Sequence, residues 1–320
     1  MAAKRFENID LLKGLLIILV MLGHILQGSL SENFSRYLIY SFHMPVFVGI
    51  SGFLFNSSKI NSVSFKELLS KYLFRIIIPW AIAVLVYDVI THWGHITPSD
   101  LIHSFPYPYY HLWFIPAFLS WVFFTWIAGK LKIAISWLLV FSVAISYVFF
   151  MLTNYPTIYE HTPDLSKPLD LILDTFRPRY YMFFVFGIYL RTHTVKISLA
   201  LNISIALISF AGIALLFFFP NKTGSISLFF LFNLSFLNIL ITKAREGFFP
   251  RSTSIEWVGV NSLAVYLWHV IPIIIVKSLV GTGNLLLFYS VVVAAEILFV
   301  LLMAQLTKIK PVNKYLLGMG

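Results

Sequence analysis

Cysteine is absent from all 320 residues, which excludes disulfides, thiolate nucleophiles and thiolate metal sites and leaves the redox compartment open. Charge is scarce as well: Asp, Glu, Lys and Arg make up 11% of the chain, against roughly a quarter in a soluble domain. With 59% apolar residues and a mean hydropathy of +0.86, that scarcity excludes a water-soluble enzyme. Acidic side chains are scarcest, 13 against 23 Lys and Arg, which leaves a net charge of +10. In a soluble protein such an excess suggests nucleic acid. In a membrane chain it marks loops held on the cytoplasmic side, so nucleic acid is not an expected partner. A cleaved secretion signal is not expected either. Lys4 and Arg5 precede the apolar run Leu15 to Leu22, but Asp10 and Lys13 interrupt the flank, His24 and Gln27 follow, and no small-residue cleavage site is evident. The segment reads as a retained first helix.

What is present is apolar sequence in long runs. They fall near residues 10–30, 37–56, 72–92, 111–129, 133–152, 176–192, 196–219, 224–242, 256–279 and 284–306, each about the 20 residues a membrane crossing requires. The expected fold is therefore all-α: a polytopic integral membrane protein of about ten transmembrane helices, in a single membrane-embedded domain over residues 1–320. Ten crossings take roughly 200 residues, which leaves no space for a separate soluble domain. The second run contains Pro45, Gly49 and Gly52 and the sixth is short, so either can be broken or re-entrant where protein covers the backbone. Sorting Lys and Arg by alternate loops puts 17 of the 23 on one side. That bias predicts both termini on the cytoplasmic side.

A charged side chain at mid-membrane costs about 2.5–3.5 kcal/mol even on the lenient insertion scale, so each one needs a partner, a water-filled cavity or a role. In the first helix Lys13 and His24 are eleven residues apart, close to three turns, so they share one face about 16 Å apart along the axis. Asp10 shares that face. The pair Asp10 and Lys13 reads either as an interfacial anchor or as part of a site, and His24 either as a packed polar residue or as a reactive one. His43, in SFHMPVFVGISGF, lies at a depth similar to His24. Arg75, in FRIIIPW, either grips a phosphate or snorkels to lipid headgroups. His269, in GVNSLAVYLWH, is an intramembrane proton relay or a core polar group. Arg177 and Arg179 flank Pro178 on the less basic side, and Glu296 in the tenth run needs a partner. His92, His95 and His103 in an outer loop match no metal spacing, and no metal is expected.

Four of these segments together resemble a known family. RFENIDLLKGLLIILVMLGH carries a basic residue, ten intervening positions and a histidine at Lys13 and His24. FHMPVFVGISGFLF carries His43, Pro45, Ser51 and Gly52. FRIIIPW carries Arg75, and GVNSLAVYLWH carries Asn261, Ser262, Tyr266 and His269. In that order they are similar to the motifs of the integral-membrane acyltransferase-3 family, closest to its fucose 4-O-acetylase-like branch of sugar O-acetyltransferases. HLWFI with Trp113, and the stretch with Arg179 and Gly187, are softer matches.

The resemblance implies transfer of acetyl from cytoplasmic acetyl-CoA to a hydroxyl of an envelope or exported polysaccharide, or of its lipid-linked precursor, in the bacterial cytoplasmic (inner) membrane. It implies catalytic roles for His24, His43, Asn261 and Asp10. Lys13, Lys71 and Arg75 are expected to contact CoA, and Trp113, Arg177, Arg179 and His269 to contact the acceptor. The residue chemistry fits: a hydroxyl must lose its proton and the oxyanion must be held, and histidine titrates nearest neutrality. Ten spans and midplane histidines also fit a transporter or flippase for a lipid-linked sugar or small anion, without acyl chemistry. Membrane lipid is a partner on either reading, and the oligomeric state stays open.

Overall fold

The computed structural model describes residues 7–92 and 97–318. Lys4, Arg5 and His95, named above, lie outside the described residues. Among those described there is no strand, and eight helices are long and apolar enough to cross a membrane. The chain is an all-helical, polytopic membrane protein. The principal helices are α1 (Glu7–Ile25), α2 (Phe34–Tyr40), α3 (His43–Leu54), α4 (Phe65–Thr91), α5 (Phe114–Lys130), α6 (Ile135–Asn154), α7 (Tyr181–Thr192), α8 (Leu199–Phe218), α9 (Lys222–Arg245), α10 (Thr253–Val260), α11 (Ser262–Trp268), α12 (Val270–Val280) and α13 (Leu285–Leu306).

Two of the ten expected crossings are shorter than the sequence suggests. The run at 111–129 forms α5, of 17 residues, and the run at 176–192 forms α7, of 12. At 1.5 Å per residue α7 is about 18 Å long. Tyr181 to Ile188 are all buried, so neighbouring protein covers the helix ends that lipid could not satisfy. The second crossing breaks at Ser41 and Phe42, between α2 and α3, rather than at Pro45. Pro45 falls in the first turn of α3, where its missing N–H costs nothing. The ninth crossing is interrupted at Asn261 and His269. In α4 a π-helical turn spans Leu73–Ile77, just before Pro79. Proline lacks the N–H that would reach the carbonyl four residues back, which is that of Arg75.

The chain clusters into two compact units. One comprises residues 1–44, 70–83 and 243–320, the other 45–69 and 84–242. In the first, α1 crosses α10 at backbone contact because both surfaces are glycine. A Cβ at Gly14 would stand 2.0 Å from the Ile255 carbonyl oxygen, and one at Gly259 1.7 Å from that of Asp10. Small residues of this kind let membrane helices pack by close van der Waals approach. Further along α1, Ile25 packs with Ile273, Val276, Phe288 and Val292. In the second unit α7 is the enclosed element. A Cβ at Gly187 would meet the Gly49 carbonyl oxygen at 1.9 Å, and one at Gly52 would meet that of Phe184 at 1.9 Å. Phe184 meets Phe118 edge-on and packs at a tilt against Phe55 and Trp121 around this crossing, and Ser146 Oγ donates to the Pro178 carbonyl at 3.1 Å.

Candidate functional site

The first unit carries two polar clusters at opposite ends of one helix face. At the basic end of α1, Lys13 Nζ lies 3.8 Å from Asp10 Oδ1, both largely buried. Gly259 seats against the Asp10 carbonyl, which fixes the start of α11 at the same level. Asn261, at that junction, donates Nδ2 to the Trp257 carbonyl at 2.7 Å. Gly318, at φ +69°, is the other fixed point: a Cβ there would stand 2.2 Å from the Arg75 carbonyl oxygen and 2.8 Å from Leu263. Thus the turn of α4 that carries Arg75 meets the same junction. Arg75 and Lys71 are exposed, and Lys71 Nζ stands 5.2 Å from the Tyr72 ring centre. These exposed cations are the residues able to hold a phosphate-bearing ligand.

About 16 Å along α1 lies the second cluster, built from histidines. The His24 ring faces that of His269 at 5.2 Å between centroids. On its other side His24 Nδ1 is 3.4 Å from the Tyr40 hydroxyl, and the Tyr40 ring packs edge-on against His43 at 4.9 Å. Gly23 admits this approach, since a Cβ there would meet Tyr40 at 2.8 Å. His43 is 4% exposed and His269 is fully buried.

Hydrogen bonds settle the tautomers of both buried histidines. His43 Nδ1 lies 2.6 Å from the Ile39 carbonyl, and His269 Nδ1 lies 2.9 Å from that of Tyr266 and 3.1 Å from that of Val265. A carbonyl only accepts, so in each ring Nδ1 carries a proton, and it is Nε2 that can accept when the imidazole is neutral. His24 is thus flanked by the His269 imidazole and the Tyr40 phenol, and His43 packs behind Tyr40. Such a set can take a proton from a hydroxyl, pass it on, and donate to a developing oxyanion.

Of the residues expected from sequence, the structure brings together His24, His43 and His269 at one end and Asp10, Lys13, Arg75 and Asn261 at the other. It does not bring Asn261 to His24. Asn261 precedes His269 by eight residues, about 12 Å of helix. Tyr40 was missed, and so was Arg36, whose guanidinium stands 5.3 Å from the Tyr40 ring centre. Their signal was available in RYLIYSFH, where Arg36, Tyr40 and His43 fall at intervals of four and three, one helical face.

In the second unit Arg177 lies 4.2 Å over the Trp113 ring, and Trp113 stacks on Tyr180 at 5.6 Å. Arg179 lies 5.3 Å from the Tyr180 ring centre and donates Nη1 to Thr153 Oγ1 at 3.0 Å. Arg177 holds a left-handed backbone, φ 41° and ψ 57°, at the end of a π-helical turn. Non-glycine residues rarely adopt that conformation, and such strain clusters at functional positions. Nearby in sequence, Tyr159 donates to Asp170 at 2.9 Å. Burial first, and then this bond, push the phenol up to about 12.

His92 Nδ1 lies 3.1 Å from Asp88 Oδ1, which also accepts from Ser104 Oγ at 2.8 Å. Among the described residues, no three His, Asp or Glu side chains group as a metal site. Glu296, 4% exposed in the middle of α13, has neither carboxyl oxygen hydrogen-bonded among the described residues. It borders a cavity of about 310 Å³ otherwise lined by aliphatic and Met side chains of α1, α10 and α13.

A family model described as an acyltransferase domain matches residues 6–304. Nodulation protein NolL of Sinorhizobium fredii is 39% identical over 85 residues, a stretch that covers 24% of this chain and 23% of that protein. The similarity to NolL thus spans about a quarter of either length. No solved structure matches the chain.

Proposed function

The chain belongs to the acyltransferase-3 family, and from that premise we propose that it moves acetyl from acetyl-CoA, bound at the cytoplasmic face of the bacterial inner membrane, to a hydroxyl of an envelope or exported polysaccharide or its lipid-linked precursor. The observation that carries this reading is the His24 ring at 5.2 Å from His269, at the far end of the helix face that begins with the Asp10–Lys13 pair. Lys13, Lys71 and Arg75 hold the phosphates of CoA. Asp10 sets the Lys13 ammonium, and Asn261 shapes the mouth beside it. The pantetheine arm runs along α1, so the thioester reaches His24 while the nucleotide stays on the basic side.

His24 takes the proton of the acceptor hydroxyl, and the oxygen attacks the acetyl carbonyl. The C–S bond then breaks, and the proton on His24 passes to the departing thiolate. His269, packed ring against ring on His24, keeps that imidazole oriented, His43 braces the Tyr40 ring, and the Tyr40 hydroxyl is the nearest donor to the oxyanion. The aromatic and guanidinium cluster of Trp113, Arg177 and Arg179 contacts the glycan.

The test is acetyl transfer by the purified protein in proteoliposomes, with radiolabelled acetyl-CoA and an extract of envelope glycans as acceptor. His24→Ala is expected to lower turnover at least about 100-fold, the usual yield of a positioned acid–base group, with unchanged thermal stability. Near-wild-type turnover in a folded His24→Ala protein overturns the assignment.

A further inference from the structure

Arg36 is a half-buried cation with no ion-pair partner among the described residues. Nη1 donates to the Gly28 carbonyl. The Nε–Nη2 edge makes no hydrogen bond among the described residues, and Nε is buried. No described carboxylate lies within ion-pair distance. Glu32, the nearest acid in the chain, turns Oε2 to the Ser29 backbone N–H at 2.8 Å. That bond holds its carboxyl below the ordinary value of 4.5, so Glu32 is occupied as an anion within its own loop.

The placement of Arg36 is specific. Its guanidinium stands 5.3 Å from the Tyr40 ring centre, and the hydroxyl of that same ring reaches His24 at 3.4 Å. One aromatic ring therefore separates an unneutralised guanidinium from the reactive imidazole. A free guanidinium edge presents two parallel N–H donors, matched to the two oxygens of a carboxylate or phosphate. Lipid anchoring needs only a flexible cation at the interface, whereas here the side chain is tied to Gly28 and laid on Tyr40.

We propose that the Nε–Nη2 edge of Arg36 binds an oxyanion carried by the acceptor, so that the acceptor is an anionic glycan docked beside the hydroxyl that His24 deprotonates. The proposal rests on the acetyl-transfer reading above and adds the charge class of the acceptor. The oxyanion has two sources, a carboxylate on a sugar ring or the phosphate of a lipid carrier, and they share this chemistry.

The experiment pairs turnover with binding. In phosphatidylcholine proteoliposomes, acetyl transfer is measured to a galacturonate oligosaccharide and to its carboxyl-reduced, neutral counterpart, with inorganic pyrophosphate as competitor. Arg36→Gln is expected to reduce the charged-over-neutral ratio of kcat/KM about 10- to 100-fold, the value of a charge-assisted pair, mainly through KM. Arg36→Lys is expected to restore part of it. If the carrier phosphate is the source, pyrophosphate inhibits the wild type and loses potency in Arg36→Gln, while the two oligosaccharides are used alike. Either pattern supports the site.

Equal losses on both acceptors mean a structural role in the loop and overturn the proposal. It is also overturned if the wild type shows neither preference nor inhibition, or if the Arg36→Gln effect appears only in vesicles containing phosphatidylglycerol, which marks a lipid headgroup contact. Calorimetric titration of galacturonate oligosaccharide and pyrophosphate, without acetyl-CoA, into wild type, Arg36→Gln and His24→Ala separates the two readings. Oxyanion binding lost only in Arg36→Gln keeps the site even where acetyl transfer fails. No binding to the wild type removes it.

Discussion

Tyr40 touches His24 through its hydroxyl, His43 through its ring edge and Arg36 through its face. Spacing puts Tyr40 on one face with Arg36 and His43, but not against His24 on another helix. The face shared by Asp10, Lys13 and His24 was legible because a helix repeats every 3.6 residues. The partners of that face were not, since contacts between helices follow from packing rather than spacing. Asn261 illustrates the limit: its residue type suits an oxyanion donor, yet the Gly259–Asp10 contact fixes it at the level of Lys13. Tyr40→Phe keeps the ring and removes the hydroxyl. A hydrogen bond of this kind contributes about 0.5–1.5 kcal/mol, so kcat is expected to fall about 2- to 12-fold with the KM for acetyl-CoA unchanged. Steady-state kinetics in proteoliposomes check this, and an unaltered kcat rejects a role for the phenol.

At the scale of elements, the long apolar helices could be read from the sequence, while their ends and breaks could not. Runs such as 133–152 and 196–219 became the uninterrupted helices α6 and α8. By contrast, α7 is a short enclosed helix because Gly49, Gly52 and Gly187 let it sink onto the backbone of α3, a tertiary fact invisible to hydropathy. Glycine in a membrane helix signals a crossing, but the sequence does not say with which partner. The structure names the partners, so the crossings can be tested one at a time. Gly259→Ala sets a methyl 1.7 Å from the Asp10 carbonyl oxygen, and α1 and α10 must part to admit it. Overpacking of this kind costs about 1–3 kcal/mol. A lowered melting temperature in detergent is expected, together with a weaker affinity for acetyl-CoA, since Lys13 and the Asn261 junction separate. Gly283→Ala, where a Cβ meets nothing within 4 Å, is the matched control and is expected to melt as the wild type does.

For the whole molecule, the distribution of charge predicts orientation, and the absence of cysteine offers the means to test it. A single cysteine placed anywhere is the only thiol in the chain. Ser31→Cys, in the exposed loop after α1, is expected to react in intact cells with a membrane-impermeant maleimide. Ser62→Cys, on the lysine-rich side, is expected to react only after permeabilisation. The reverse pattern inverts the topology and moves CoA binding to the wrong compartment.

His24 and His269, ring against ring, are about 245 residues apart in the chain. Translation adds about 5–20 residues per second, so α1 emerges roughly 12–50 s before the helix that completes its site. During that interval Asp10, Lys13 and His24 have no α10 or α11 to face, and leaving them in bare lipid is costly. The first helix must therefore wait at the bilayer surface or against another protein until about the last fifth of the chain arrives. A ribosome stalled before residue 253 leaves that helix as the polar weak point of the nascent protein.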